Sequence, residues 1–135
     1  MSEEKIHQEM NELGSVRIAD EVVAIIAGLA STEVEGVAGM SGGIAGGFAE
    51  MLGRKNLSKG VKVKIEENET FIDLFIIANY GTKIHEVAKE VQEKTKQAVE
   101  NMTGLNVSYV NVHVQGVRFA DDKDIEEEED YEAAE

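Results

Sequence analysis

His113 stands in an alternating run, Val110-Asn111-Val112-His113-Val114-Gln115, whose polar row offers imidazole and amide hydrogen bonds but holds no nucleophile or carboxylate. Such a row suits contact with a partner, or the holding of an anionic ligand, better than turnover. The other histidines, His7 and His85, fall in separate segments, and no His-x-x-x-His spacing suggests a metal. The glycine cluster Gly39-Met40-Ser41-Gly42-Gly43-Ile44-Ala45-Gly46-Gly47 contains neither Gly-x-Gly-x-x-Gly nor a following Gly-Lys-Ser or Gly-Lys-Thr, so no dinucleotide or P-loop chemistry is indicated. Ser15, Ser41 and Ser108 lack the context of a nucleophile elbow. Cysteine is absent, which removes disulfides, thiolate metal sites and cysteine nucleophiles. The chain is therefore expected to be no enzyme and to need no cofactor or metal.

Periodicity places that row at the end of a small α+β domain. Ser15 to Ile18 reads as a first strand, after which Asp20 is placed to cap a helix. In that helix Val22, Val23, Ile25, Ile26, Leu29 and Ala30 cover most of the circumference, which predicts burial on more than one side. Val37 to Met40 is a candidate short strand, while eight of the 13 glycines fall between Gly36 and Gly60 and leave that interval hard to assign. From Val61 the period becomes two, with Val61, Val63 and Ile65 opposite Lys62, Lys64 and Glu66. A turn near Asn68 returns through Phe71 to Tyr80.

A second helix follows, with Ile84, Val87, Ala88, Val91, Ala98, Val99 and Met102 on its apolar face and Gly104 as its stop. Leu105, Val107 and Tyr109 have the opposite parity to Val110, Val112 and Val114, which predicts a bulge near Ser108. The expected architecture is a two-layer domain, order β-α-β-β-β-α-β, with a mixed or antiparallel sheet and two main helices. Residues 1–13 are expected as a flexible segment, 14–119 as the domain and 120–135 as a disordered acidic tail.

Composition sets outer limits. With 135 residues and 42% hydrophobic content the chain can close one core. The formal charge of -14 is concentrated after Ala120, where ten carboxylates meet one lysine and give -9, leaving -5 for the rest. So many like charges with so few apolar groups favour a solvated tail. Acidity, the lack of tryptophan and 5% aromatic content argue against nucleic acid as a partner. The longest apolar run, Val22 to Ala30, is under half of the roughly 20 residues that a membrane-spanning helix needs, so no direct span is expected.

Apolar residues without an evident internal use mark contact positions. Phe71, Phe75 and Ile77 share the strand face opposite Ile72, Leu74 and Ile76; if helices cover one sheet face only, these side chains are left for a partner or a second copy. Ile44, Phe48, Met51 and Leu52 have helical spacing that fits either packing on the sheet or docking. Arg54, Lys55, Lys59, Lys62 and Lys64 form the cationic stretch, with no carboxylate between Glu50 and Glu66. Phe48, Met51, Phe75 and Ile77 are thus the candidate anchors, Arg54 and Lys55 candidate steering charges, and His113 a polar contact.

Five segments in order carry a family resemblance: Gly14-Ser15-Val16-Arg17-Ile18-Ala19-Asp20-Glu21-Val22-Val23, Glu35-Gly36-Val37-Ala38-Gly39-Met40, Gly60-Val61-Lys62-Val63, Asn101-Met102-Thr103-Gly104-Leu105 and Val110 to Val117. The chain resembles the alkaline shock protein family of Gram-positive envelope stress response proteins over about residues 14 to 119, and within it the acidic YqhY-type branch. That resemblance implies a cytoplasmic, non-catalytic protein in envelope homeostasis, held at the membrane in some relatives by an anchor protein. It also implies acetyl-CoA carboxylase, and so fatty-acid synthesis, as an alternative partner; it transfers no catalytic residues.

Overall fold

The computed structural model describes residues 6–42, 57–67 and 69–119. In chain order the elements are β1 (Ile6–Asn11), β2 (Gly14–Ala19), α1 (Asp20–Thr32), β3 (Val37–Met40), β4 (Val61–Glu66), β5 (Glu69–Asn79), α2 (Ile84–Thr103) and β6 (Asn106–Arg118). From β2 onward this is the expected β-α-β-β-β-α-β order. It is preceded by a strand that the polar N-terminal stretch did not announce: Ile6–Asn11 pairs antiparallel with β2, from Ile6 opposite Ala19 to Asn11 opposite Gly14.

The main sheet is mixed and built around β5. Parallel β6 follows one edge of β5 from Glu69 opposite Asn106 to Asn79 opposite Arg118. The other edge is shared in tandem: antiparallel β4 pairs with Glu69 to Leu74, and β3 with Ile76 to Ala78. A parallel neighbour needs a long crossover, and α2 supplies it. Ladder partners pass from Val107 opposite Thr70 to Tyr109 opposite Phe71, which leaves Ser108 as the expected bulge. A second bulge falls on Gln115, between Val114 opposite Ile76 and Gly116 opposite Ile77.

Both helices serve the same core. Val23 and Ala27 of α1, Val87, Val91 and Val99 of α2, Ile72, Leu74 and Ile76 of β5, and Val107 and Val110 of β6 form one buried cluster. Each large member removes enough apolar surface from water to contribute about 1.5–3 kcal/mol. Inside it Ser31 donates to the carbonyl oxygen of Ala27 at 2.8 Å and lies 3.2 Å from the hydroxyl of Thr95, which joins the two helices by a buried polar contact.

Several local expectations are corrected. Asp20 does not cap α1: Ala19 occupies the cap position, no side chain bonds there, and Asp20 begins the helix, where its charge suits the positive end. α1 is buried on more than one side, as expected, through Val23, Ala24, Ala27, Gly28, Ala30 and Ser31, but Val22 and Leu29 do not share in it and remain 45% and 46% exposed. In α2 the buried line runs in four-residue steps through Val87, Val91, Thr95 and Val99, and Met102 falls off that line, 70% exposed. Gly104 does end α2, in the left-handed conformation at φ +78°, with its N–H donating to the Glu100 carbonyl at 2.9 Å.

Side chains of α2 also reach the edge of β6 away from β5. Gln92 Nε2 donates to the Val110 carbonyl at 2.9 Å and Lys96 Nζ to the Val107 carbonyl at 3.2 Å, while the Val107 N–H donates to Glu100 Oε2 at 3.0 Å.

Candidate interaction face

Strand alternation sends Thr70, Ile72, Leu74, Ile76 and Ala78 into the core and leaves Phe71, Asp73, Phe75, Ile77 and Asn79 half-buried on the reverse of β5. Among the described residues no helix packs on that reverse face. The ladder then arranges it in rows across the sheet: Lys64, Phe71 and Tyr109 in one, Lys62, Asp73 and Asn111 in the next, and Gly39, Ile77 and Gly116 towards the far end.

Aromatic contacts run along the seam of β5 and β6. Phe71 stacks on Tyr109 at 5.6 Å between ring centroids, and Phe75 on His113 at 4.5 Å with an interplanar angle of 12°. Lys62 Nζ lies 5.4 Å from the Phe75 centroid, within cation–π range. His113 Nε2 is 3.1 Å from Asp73 Oδ1, and the nearby Lys64 ammonium meets Glu66 Oε2 at 3.1 Å.

Phe75 also marks the junction between β4 and β3. Its N–H donates to the Gly60 carbonyl at 2.9 Å and its carbonyl accepts from the Ser41 N–H at 2.8 Å. The Ser41 hydroxyl donates at 3.0 Å to Gln115 Oε1, so the bulged residue of β6 reaches the far side of the sheet. Ser41, Gly42, Gly60, Val61, Lys62, Phe75 and Gln115 line an open depression of about 390 Å³.

Of the candidate residues, the structure brings together Phe75, Ile77 and His113 on this face, with Phe75 and His113 in contact. Phe48, Met51, Arg54 and Lys55 lie outside the described residues. Asp73 escaped notice in the sequence: the polar row of β6 contains no carboxylate, but the parallel neighbour sets one beside His113. Its signal was an acidic residue on the same parity as Phe71, Phe75 and Ile77. Among the described residues no group of three His, Cys, Asp or Glu side chains is placed to hold a metal, and no helix is long and apolar enough to cross a membrane.

Residues 8–119 match the model of the ASP23 family, described as having a cell envelope-related function. The chain belongs to that family. Similar ASP23-type relatives include YqhY of Bacillus subtilis, 42% identical over 115 residues and 85% of each chain, and YloU of the same organism, 45% identical over 107 residues, which are 78% of this chain and 89% of YloU. A stress response regulator gls24 homologue of Streptococcus pyogenes is 29% identical over 78% of this chain and 59% of its own length. Among solved structures, the MamM CTD aligns with 72% of this ASP23-family chain at 15% identity and a TM-score of 0.46. The family resemblance drawn from the sequence is thereby confirmed, and with it the family's general link to the cell envelope.

Proposed function

We propose that this ASP23-family chain is a non-catalytic protein-interaction module of the envelope stress response, which docks a protein partner on the bare face of its sheet. The observation that carries this reading is the set Phe71, Phe75 and Ile77: half-buried apolar side chains facing away from the core, with no described element packed on them. Binding there removes apolar and aromatic surface from water, while Lys62 and His113 at its border provide orientation. The partner surface it fits is apolar at its centre, with polar acceptors towards Lys62. An anchor protein at the membrane and acetyl-CoA carboxylase are the two family-derived occupants, and both would use this face in the cytoplasm.

The test is chemical cross-linking in native cells followed by mass spectrometry, reading cross-links from Lys62 and Lys64 to other proteins. Phe75→Asp should abolish them while Leu29→Asp, on exposed α1 surface, keeps them. Equal cross-linking in both variants would overturn the assignment to this face.

A second reading rests on the depression beside Lys62, where the Ser41 hydroxyl and the Gln115 amide meet a cationic wall. It would suit a small anion with an apolar body. Nucleotides, acyl-CoA and phosphometabolites at 100 times their dissociation constant would each stabilise the fold by about 2.7 kcal/mol. A flat thermal-shift screen removes this alternative.

A further inference from the structure

Among the described residues no strand pairs with the edge of β6 away from β5, and α2 protects only part of it. Val107 is bonded through both its N–H and its carbonyl to Glu100 and Lys96, and the Val110 carbonyl is taken by Gln92. Residues whose main-chain groups point away from β5 alternate along a strand, so Val112 and Val114 are next on the outer edge. Among the described residues nothing bonds their outer N–H and carbonyl groups. The Gln115 bulge then closes the interval.

Apart from the Gln115 bulge at its end, that interval also lacks the charged and proline safeguards of an exposed edge. From Asn111 to Val117 there is no Lys, Arg, Asp, Glu or Pro, the residues that normally discourage strand addition. We propose that this edge binds a second copy of the same chain, β6 against β6, antiparallel and centred on His113. Val112 of one copy faces Val114 of its partner, each such pair exchanging both main-chain hydrogen bonds, while the two His113 residues form the close pair on the axis. The window fits itself: the cap at Val110 and the bulge at Gln115 bound it on either side, and a two-fold axis through His113 exchanges Val112 with Val114.

Charge selects the antiparallel direction. The segment after Ala120 carries -9 in each copy and begins just past the end of β6. Antiparallel pairing about His113 sets Arg118 of one copy opposite Ser108 of the other, so the two tail origins lie roughly 33 Å apart. This is several Debye lengths of about 8 Å. A parallel pairing would start both tails side by side. This arrangement goes beyond the docking face, because it uses the rim of the sheet and leaves Phe71 and Phe75 available.

The test uses the absence of native cysteine. In the full chain His113→Cys should give an intermolecular disulfide under mild oxidation, because close antiparallel pairs stand within disulfide reach. Tyr109→Cys faces Val117 of the other copy and should stay unlinked. Val114→Pro removes an outward N–H without touching the ladder to β5, and sedimentation equilibrium should show its mass falling from twice 14.7 kDa to the single chain. A monomeric parent chain, or disulfides formed equally well from both cysteine positions, would overturn the proposal.

Discussion

Gln92 Nε2 lies 2.9 Å from the Val110 carbonyl oxygen, the first of a series in which Gln92, Lys96 and Glu100, one helical turn apart, reach the rim of β6. A helix thus covers a strand edge with side chains instead of with another strand. Glu100→Ala leaves the N–H of Val107, a residue only 1% exposed, without its acceptor, and an unsatisfied buried donor costs about 1–3 kcal/mol. Gln92→Ala frees a carbonyl nearer solvent and should cost less, about 0.5–1.5 kcal/mol. Urea denaturation should rank them in that order, and hydrogen exchange at the Val107 amide should accelerate in Glu100→Ala beyond the change in global stability.

Positive-φ glycines differ in what surrounds them. Gly36, at φ +104°, is buried, and a Cβ there would come within 2.6 Å of Val87 Cγ2; Gly104, at φ +78°, has open space where its Cβ would be. Gly104→Ala should therefore cost only backbone strain, about 1 kcal/mol. Gly36→Ala adds a clash with a core side chain and should lose roughly 2–4 kcal/mol. Thermal or urea unfolding of the two variants checks the difference.

Ser31 commits its proton to the Ala27 carbonyl, so Thr95 is the donor in their 3.2 Å contact. Thr95→Val keeps the shape and leaves Ser31 with its own acceptor, at a cost of about 0.5–1.5 kcal/mol. Ser31→Ala instead strands the fully buried Thr95 hydroxyl and should cost about 1–3 kcal/mol. The double variant should lose less than the sum, a coupling that a double-mutant cycle measures directly.

The Asp73–His113 contact is partly exposed, its side chains keeping 38% and 46% of their accessible surface. Coupling at such positions stays below about 1 kcal/mol. Asp73→Ala and His113→Ala should each leave unfolding midpoints close to the parent while changing partner cross-linking at Lys62. Large losses of stability in either variant would assign the pair to folding instead of to contact.

What could be read from the sequence follows how local each signal is. The period-two run from Val61 shows β4, Gly104 the end of α2, and the change of parity between Tyr109 and Val110 the bulge at Ser108, each within a few residues. The meeting of Asp73 with His113 depends on β5 and β6 being parallel neighbours across α2, a relation forty residues apart that no local pattern contains. Asp20 misled because an acidic residue suits both the cap and the first turn. Met102 misled because three-residue and four-residue steps define a wide stripe, of which the core takes the line through Thr95. Ile6–Asn11 gave no warning because β2 outside the main sheet is its partner and the stretch is polar.

Ile77 has glycine as its ladder neighbour on both sides, Gly39 on β3 and Gly116 on β6. A Cβ on Gly39 would meet nothing within 4 Å, and one on Gly116 only Ile77 itself, at 3.6 Å. Among the described residues this spot carries a single isoleucine between two glycines, beside the Gln115 side chain that crosses to Ser41, so in the docking proposed above a visiting ring or methyl group would settle against the peptide planes of the flanking strands. Selectivity there is a matter of depth: alanine at either glycine raises a wall of one methyl, enough to turn away a bulky guest while admitting a slim one.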